Sequence, residues 1–280
     1  MRDLDAADLA RKLTLADLAL QPVGAGWLRP GLLGLALLGL VLPSMSRRPW
    51  FWLLLAALAG VRVISTWPLA DNHAYLLAYW CLAVAIAARE PDPSPSLAWN
   101  GRVLIGLVFA FALLWKAISP DFLDGRFFRV TLVLDTRLET FAQVVGGLDA
   151  DELRERRELL ARHADGVTAE ALVVPAESAR FRTVAWLATL GTFASEALLA
   201  LAFLWPLGRG PSRLRDPLLI GFCGVTYLVA PVSGFGWLLI ALGVAQTEPE
   251  RWRTRVAYLV VFGLVYLYGE LESWAQLHTR

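Results

Sequence analysis

Seven long apolar runs, each bounded by charged residues or prolines, take up about half of this chain. A helix needs about 20 mostly apolar residues to cross about 30 Å of hydrocarbon, and in lipid its backbone groups must bond to one another. Each run is therefore predicted to be a membrane-spanning helix. The predicted fold is all-α, a polytopic transmembrane helix bundle of about seven spans with a small helical extramembrane cap. The runs cover residues 27–42, 50–66, 73–88, 103–119, 184–205, 218–246 and 256–274.

Composition agrees with a chain that lives in a lipid bilayer. Hydrophobic residues make up 57% of the 280 residues and charged residues 18%, which is too little polar surface to cover a water-soluble globule. The predicted location is the cell membrane, with several crossings. The formal net charge is +1 and no basic block is present, so nucleic acid is not an expected partner. Cys81 and Cys223 lie inside apolar runs, and we therefore expect neither a disulfide framework nor a metal site.

The distribution of charge divides the chain into four segments. Residues 1–25 carry leucines at near-helical spacing between charges, which predicts an amphipathic helix on the membrane surface. Residues 26–119 hold predicted spans one to four, and residues 182–280 hold spans five to seven. The polar insertion at residues 120–181 contains DADELRERRELLARHADG (149–166), where Glu precedes Arg by four residues at Glu152–Arg156 and Glu158–Arg162. This insertion is the predicted helical cap.

The sixth run is longer than one crossing requires. It contains APVSGFG at residues 230–236, so it forms either one tilted, kinked helix or two short halves that meet at the proline. With seven spans, the basic residues divide evenly between the two sides of the membrane. The positive-inside rule then assigns no orientation.

Two titratable residues are expected at one face of the bundle. The fourth run returns to the face from which the third run starts, so Lys116 and His73 should lie at a similar depth. Asn72 beside the histidine, and Asp121 and Arg126 beyond the lysine, add polar groups there. A lysine at a span end can extend to the headgroups at little cost, or it can serve as a base if it is desolvated. His73 can likewise be an interfacial hydrogen-bonding residue or a catalytic one.

Glu196 lies near the middle of the fifth run. An acid at that depth must be neutral or paired. It is either a hydrogen-bonded packing residue among Thr189, Thr192 and Ser195, or part of a functional site. We include it among the expected ligand-binding residues with Asn72, Asp121 and Arg126.

The motif around the histidine and lysine resembles a known family. ADNHAYLLAY (70–79), followed by an aromatic-rich helix that ends at Lys116 and then by Asp121–Phe122, is similar to the HTTM superfamily, the membrane core shared with vitamin K-dependent gamma-carboxylase. The resemblance covers about residues 26–246, and SPDFLDGRFFRVTLVLDTR (119–137) resembles its bacterial members. It implies a reduced quinone as the reacting molecule, Lys116 as the base that deprotonates it, and His73 as the group that assists near the oxyanion.

The chain also departs from the carboxylase pattern. It reads FALLWKA (111–117), without the Ala-Gly step and second lysine, and one extra residue separates Lys116 from Asp121. Six residues follow the last predicted span, so we do not expect the C-terminal domain that binds the carboxylase's protein substrate. Carboxylation of a protein is therefore not the expected reaction.

Two hypotheses of function follow from the sequence. In the first, the protein binds a quinone-like or lipid molecule between helices, with Lys116 and His73 as an acid–base pair. In the second, it is a non-catalytic membrane subunit that docks a partner protein through the cap at residues 120–181. A transporter is less favoured, because Glu196 is the one deep acid and no inverted repeat is evident. Whether the chain is an enzyme stays open at this stage.

Overall fold

The computed structural model describes residues 5–21, 23–24, 26–68, 70–164, 178–229, 233–248 and 250–278. Within these ranges the protein is helical and contains no strand, which confirms the predicted all-α class. The first five helices are α1 (Ala6–Leu20), α2 (Leu28–Val41), α3 (Pro49–Ser65), α4 (Asn72–Ala87) and α5 (Ser94–Ile118). They are followed by α6 (Pro120–Leu123), α7 (Arg126–Leu134), α8 (Glu139–Val144), α9 (Ala150–Ala164), α10 (Ala179–Leu204), α11 (Arg215–Val229), α12 (Ser233–Ala245) and α13 (Trp252–His278).

The predicted number of seven spans is not confirmed. Among the described residues, two helices are long and apolar enough to cross a membrane, α5 and α10. Only 22% and 33% of their most apolar stretches are buried inside the protein, so both helices differ from the covered core helix of a soluble domain. The helices α2, α3 and α4 are shorter than the roughly 20 residues of one crossing. Proline shortens this region, since Pro43 follows α2 and Pro49 begins α3.

The sixth apolar run forms two helices rather than one tilted helix. Gln246, directly after α12, accepts a 2.6 Å hydrogen bond from Arg215 Nε and donates to Asp216, and both of these partners begin α11. At the other end, Gly236 of α12 lies against the ring of Tyr227 near the end of α11. The helices α11 and α12 are therefore antiparallel. The two-halves interpretation of APVSGFG agrees with this arrangement, although Ala230, Pro231 and Val232 lie outside the described residues.

The chain divides into two compact units. Unit 1 comprises Met1–Ala110 and Leu198–Arg280, and unit 2 comprises Phe111–Ala197. In unit 1, α3 packs along α4, and α1 packs against α2 and α12. Leu15 and Leu18 of α1 are completely buried, and the Trp80 indole donates a 2.9 Å hydrogen bond to Thr14. The sequence predicts that the N-terminal segment lies on the membrane surface. In the structure most apolar residues of α1 are covered by neighbouring helices, while Leu20 at its end is 49% exposed.

Unit 2 contains the predicted cap together with the adjoining ends of α5 and α10, so it is wider than the predicted boundaries 120–181. Arg157 of α9 joins the cap helices, since its guanidinium donates to the carbonyl of Val133 and to Glu139, both at 2.7 Å. The predicted pair Glu152–Arg156 is confirmed at 2.7 Å. The second predicted pair involves Arg162, whose side chain lies outside the described part of the structure.

A single turn of 3₁₀ helix follows α7 in the cap. Asp135 accepts a hydrogen bond from the backbone N–H of Arg137 and pairs with its guanidinium at 2.6 Å. The hydrogen bond from Arg137 lowers the pKa of the Asp135 carboxyl below its ordinary value, and this effect outweighs the partial burial that acts in the opposite direction.

Candidate functional site

Lys116 and Glu196 form an ion pair inside unit 2. The ammonium Nζ of Lys116, in the last turn of α5, lies 2.6 Å and 2.8 Å from the two carboxylate oxygens of Glu196 on α10. The Lys116 side chain is 20% exposed and that of Glu196 is 9% exposed. Both residues were predicted as site residues separately. The structure brings them together and gives the deep acid a partner of opposite charge.

The hydroxyl groups near Glu196 are occupied elsewhere. Thr189 and Thr192 donate to the carbonyls of Ala185 and Ala188 on their own helix, and Ser195 donates to the carbonyl of Thr192. The alternative in which these hydroxyls satisfy Glu196 is therefore not what the structure shows. The charge of Glu196 is balanced by Lys116.

A cluster of aromatic rings lies on one side of the ion pair. Lys116 Nζ lies 5.5 Å from the ring centre of Phe122, within the range of a cation–π contact. Phe122 is almost completely buried and packs edge-on against Phe193 of α10 at 5.1 Å between ring centres. Phe127 and Phe128 flank the same ring at 5.3 Å and 5.8 Å. One side of the pair is thus an apolar, aromatic wall.

The local sequence explains why Phe122 returns to the lysine. Pro120 cannot continue α5 and instead begins α6, so the chain turns directly after Ile118. Gly125 then adopts φ +73°, a left-handed conformation that side-chain-bearing residues rarely take, and it packs against the Trp186 ring of α10. This compact turn holds the aromatic residues of SPDFLDGRFF over the end of α5.

Asp121 and Arg126 lie on the surface of unit 2. They pair with each other at 3.3 Å, and Arg126 also contacts Asp124 at 3.1 Å. The Arg126 and Asp121 side chains are 62% and 64% exposed. Their charges are satisfied in water-accessible positions, which are suited to holding the turn and not to holding a buried ligand.

His73 and Asn72 belong to unit 1. His73 Nε2 lies 3.4 Å from a guanidinium nitrogen of Arg62 and 3.8 Å from Asp71, and its ring centre is 6.4 Å from that of Phe235. Asn72 is the exposed first residue of α4. Because Lys116 is in unit 2, the acid–base pairing of Lys116 with His73 stays a prediction.

A charged residue that was not among the expected site residues is buried in unit 1, and a second one is partly buried. Asp17 of α1 is 3% exposed, and one of its carboxylate oxygens has no hydrogen-bond partner. One guanidinium nitrogen of Arg62 is also buried without a partner. A signal for Asp17 was present, since it lies four residues after Leu13 and three before Leu20, on the apolar face of α1.

A second buried polar network lies where α11, α12 and α13 meet. The carboxylate of Asp216 accepts hydrogen bonds from Gln246 and from the Tyr258 hydroxyl, the latter at 3.1 Å, and pairs with Arg251 at 3.2 Å. Every group here has a partner within the network, which is the pattern of a structural connection between helix ends. Within the described ranges, no group of three or more His, Cys, Asp or Glu residues could hold a metal ion.

Comparison of the chain with protein-family models, curated proteins and solved structures finds no match. The interpretation of the site therefore depends on its own geometry and chemistry.

Proposed function

We propose that this chain is an integral protein of the cell membrane that crosses the bilayer several times and binds a lipophilic, quinone-like molecule at the Lys116–Glu196 pair. The membrane part of the proposal is supported by large apolar side chains that point away from the protein. On α5, Phe111, Trp115 and Ile118 are 64%, 72% and 63% exposed. Such surface is unfavourable in water and is expected against lipid tails.

The shorter apolar helices are compatible with this proposal. A hydrophobic stretch shorter than the bilayer is accommodated by local thinning and by interfacial residues at its ends, at a modest cost in free energy. Exposed Trp50 and Trp67 flank α3 at its two ends, where indole rings prefer the headgroup region. A helix of 17 residues can then cross in the company of longer neighbours.

The observation that carries the ligand proposal is the ion pair beside the aromatic wall. Burying charges in an apolar setting costs free energy. Charged residues inside membrane segments are therefore often functional or needed for conformational specificity. The pair offers a hydrogen-bond donor and an acceptor at one point. Phe127, which is 44% exposed beside the buried Phe122 ring, offers an apolar surface for a flat ring. The resemblance to the HTTM superfamily points to the same class of molecule, a quinone or its reduced form.

The geometry favours roles for Lys116 and Glu196 that differ from those the resemblance implies. In the ion pair Lys116 is an ammonium, which has no lone pair with which to accept a proton. Glu196 is the group with a free lone pair. In the proposed step the hydroxyl proton of the reduced ligand passes to the Glu196 carboxylate, and the ammonium of Lys116 then stabilises the ligand oxyanion. Lys116 would thus act by charge, and the base would be Glu196.

A binding titration tests this proposal. The protein, purified in mild detergent, is titrated with a short-chain benzoquinone while quenching of its tryptophan fluorescence is followed. The double variant Lys116→Met with Glu196→Leu removes both charges and keeps apolar volume, so it should fold and lose saturable quenching. Arg126→Gln, which alters an exposed pair on the same turn, should bind as the wild type does. Equal titration curves for the wild type and the double variant would refute the proposed site.

A further inference from the structure

The basic residues of unit 1 are concentrated at one end of its helices. Because α11 and α12 form an antiparallel pair, α13 starts at the same end as α11, and Arg251 before α13 contacts Asp216 of α11 at 3.2 Å. In the seven-span prediction these two positions lay on opposite sides of the membrane. The antiparallel pair thus brings two groups of arginines together that the sequence alone had divided.

Contacts join the remaining helix ends to the same place. Arg47 before α3 lies 3.9 Å from Asp8 in the first turn of α1, and Ser94 at the start of α5 donates to Asp5 at 3.3 Å. Arg102 of α5 donates to the carbonyl of Trp205, directly after α10. A cavity of about 690 Å³ is lined both by these elements and by the α11–α13 group, since its walls include Ser94, Arg102, Arg215 and Gln246. We name this surface the basic end of unit 1.

Arginines occur in each helix connection at the basic end or in the helix turns next to it. The connection from α2 to α3 has Arg47 and Arg48, and the α4–α5 region has Arg89 and Arg102. The connection from α10 to α11 has Arg209, Arg213 and Arg215, and the connection from α12 into α13 has Arg251, Arg253 and Arg255.

The opposite helix ends of unit 1 are poor in basic residues. Within the described part of unit 1 they carry Arg29 at the start of α2 and Arg62 in the last turn of α3. Arg29 is engaged locally, because its guanidinium donates to the carbonyl of Leu18 at 3.0 Å. Within unit 1 the difference between the two ends is therefore large. The bases at the other ends of α5 and α10 (Lys116, Arg126, Arg129, Arg180 and Arg182) belong to unit 2 and are not part of this comparison. Acids at the basic end do not cancel it, since Asp and Glu have little influence on membrane orientation.

We propose that the basic end of unit 1 faces the cytoplasm and contacts the anionic headgroups of that leaflet, so that the first turn of α1 is on the cytoplasmic side. Short connections rich in Lys and Arg are retained on the cytoplasmic side during insertion. The anionic lipids of that leaflet attract the same charges near the surface. Arg47, Arg89 and Arg213 are exposed and free to reach headgroups beyond their local contacts. This inference rests on the proposed membrane insertion, and it adds a direction to it.

Cysteine labelling tests the orientation directly. Cys81 and Cys223 are free and completely buried, so a background in which both are alanine leaves no native thiol. Single cysteines are then placed at Ser44 and Thr66, two exposed positions that flank opposite ends of α3. A membrane-impermeant maleimide is applied to intact cells of a bacterial host and to inverted membrane vesicles.

The proposal expects Ser44→Cys to be labelled in inverted vesicles and protected in intact cells, with the reverse pattern for Thr66→Cys. The opposite pattern, or labelling of both positions from one side, would overturn the orientation. Release of the protein from membranes by alkaline carbonate would overturn the proposed insertion itself, so the two failures are distinguishable. A variant with Arg47, Arg48 and Arg89 changed to glutamine should lose uniform orientation if these charges set it.

Discussion

Breaking the Lys116–Glu196 pair should destabilise the protein more than any exposed ion pair does. At 2.6 Å, two unit charges attract each other by about 6 kcal/mol if the effective dielectric constant is about 20. Desolvation of both groups offsets much of this attraction. Removing one partner of a buried pair, which leaves the other charge uncompensated, costs about 3–5 kcal/mol. Since Lys116 retains 20% exposure, we expect the lower limit, about 3 kcal/mol.

Thermal unfolding in detergent measures this loss. For a chain of this size, about 3 kcal/mol corresponds to a decrease in Tm of about 6–12 °C. Lys116→Met and Glu196→Gln should each show it. The double variant Lys116→Met with Glu196→Leu should recover most of the loss, because it leaves no unpaired charge. Arg126→Gln is the matched control, since exposed pairs are worth about 0–1 kcal/mol. Single variants that unfold within a degree of the wild type would refute the reasoning.

Three further outcomes follow from the packing. Gly101→Ala should lower the free energy of unfolding by about 1–3 kcal/mol, because its Cβ would lie 2.9 Å from the Leu242 carbonyl oxygen. Gly221→Ala, where the added Cβ would meet open space, should raise the free energy of unfolding by up to about 1 kcal/mol. Chemical denaturation compares the two variants. Gln246→Leu should lower the free energy of unfolding by about 1–3 kcal/mol, because its buried hydrogen bonds are lost. The Tm should decrease accordingly, and an unchanged Tm would contradict this. Asp135→Asn keeps the capping amide oxygen and removes the ion pair with Arg137, so it should cost up to about 1 kcal/mol at pH 7. Because the folded pKa of Asp135 is lowered, the deficit should persist above the ordinary pKa of about 3.9 and vanish as pH falls through the folded value.

The helical class and the unusual residues could be predicted from sequence, because both depend on local information. Long apolar runs predict helices, because a backbone in lipid must satisfy its own hydrogen bonds. Lys116 and Glu196 are recognisable without knowledge of the fold, because each is a charged residue inside such a run. Their contact was not predictable in this way. It depends on the register of α5 against α10 and on the turn at Gly125, and Lys116 and Glu196 are 80 residues apart.

Other features also depend on contacts between residues that are distant in sequence. The sequence near Pro231 is compatible with one kinked helix or with two helices. The hydrogen bond between Gln246 and Arg215 at the start of α11 shows that two antiparallel helices form. Asp17 was passed over because charges in α1 suggested a solvated surface helix. In the structure α1 lies between α2 and α12, so its apolar stripe is buried together with this acid. A single amphipathic pattern does not tell whether lipid or protein covers the apolar face.

The most direct measurement of the proposed function is mass spectrometry of lipophilic molecules that co-purify with the protein in mild detergent. The wild type, the double variant Lys116→Met with Glu196→Leu, and the control Arg126→Gln are extracted side by side. The account predicts a quinone retained by the wild type and the control and lost from the double variant. A wild type without such a molecule, or equal retention by all three proteins, would contradict the account and direct attention to partner docking through the cap at residues 120–181.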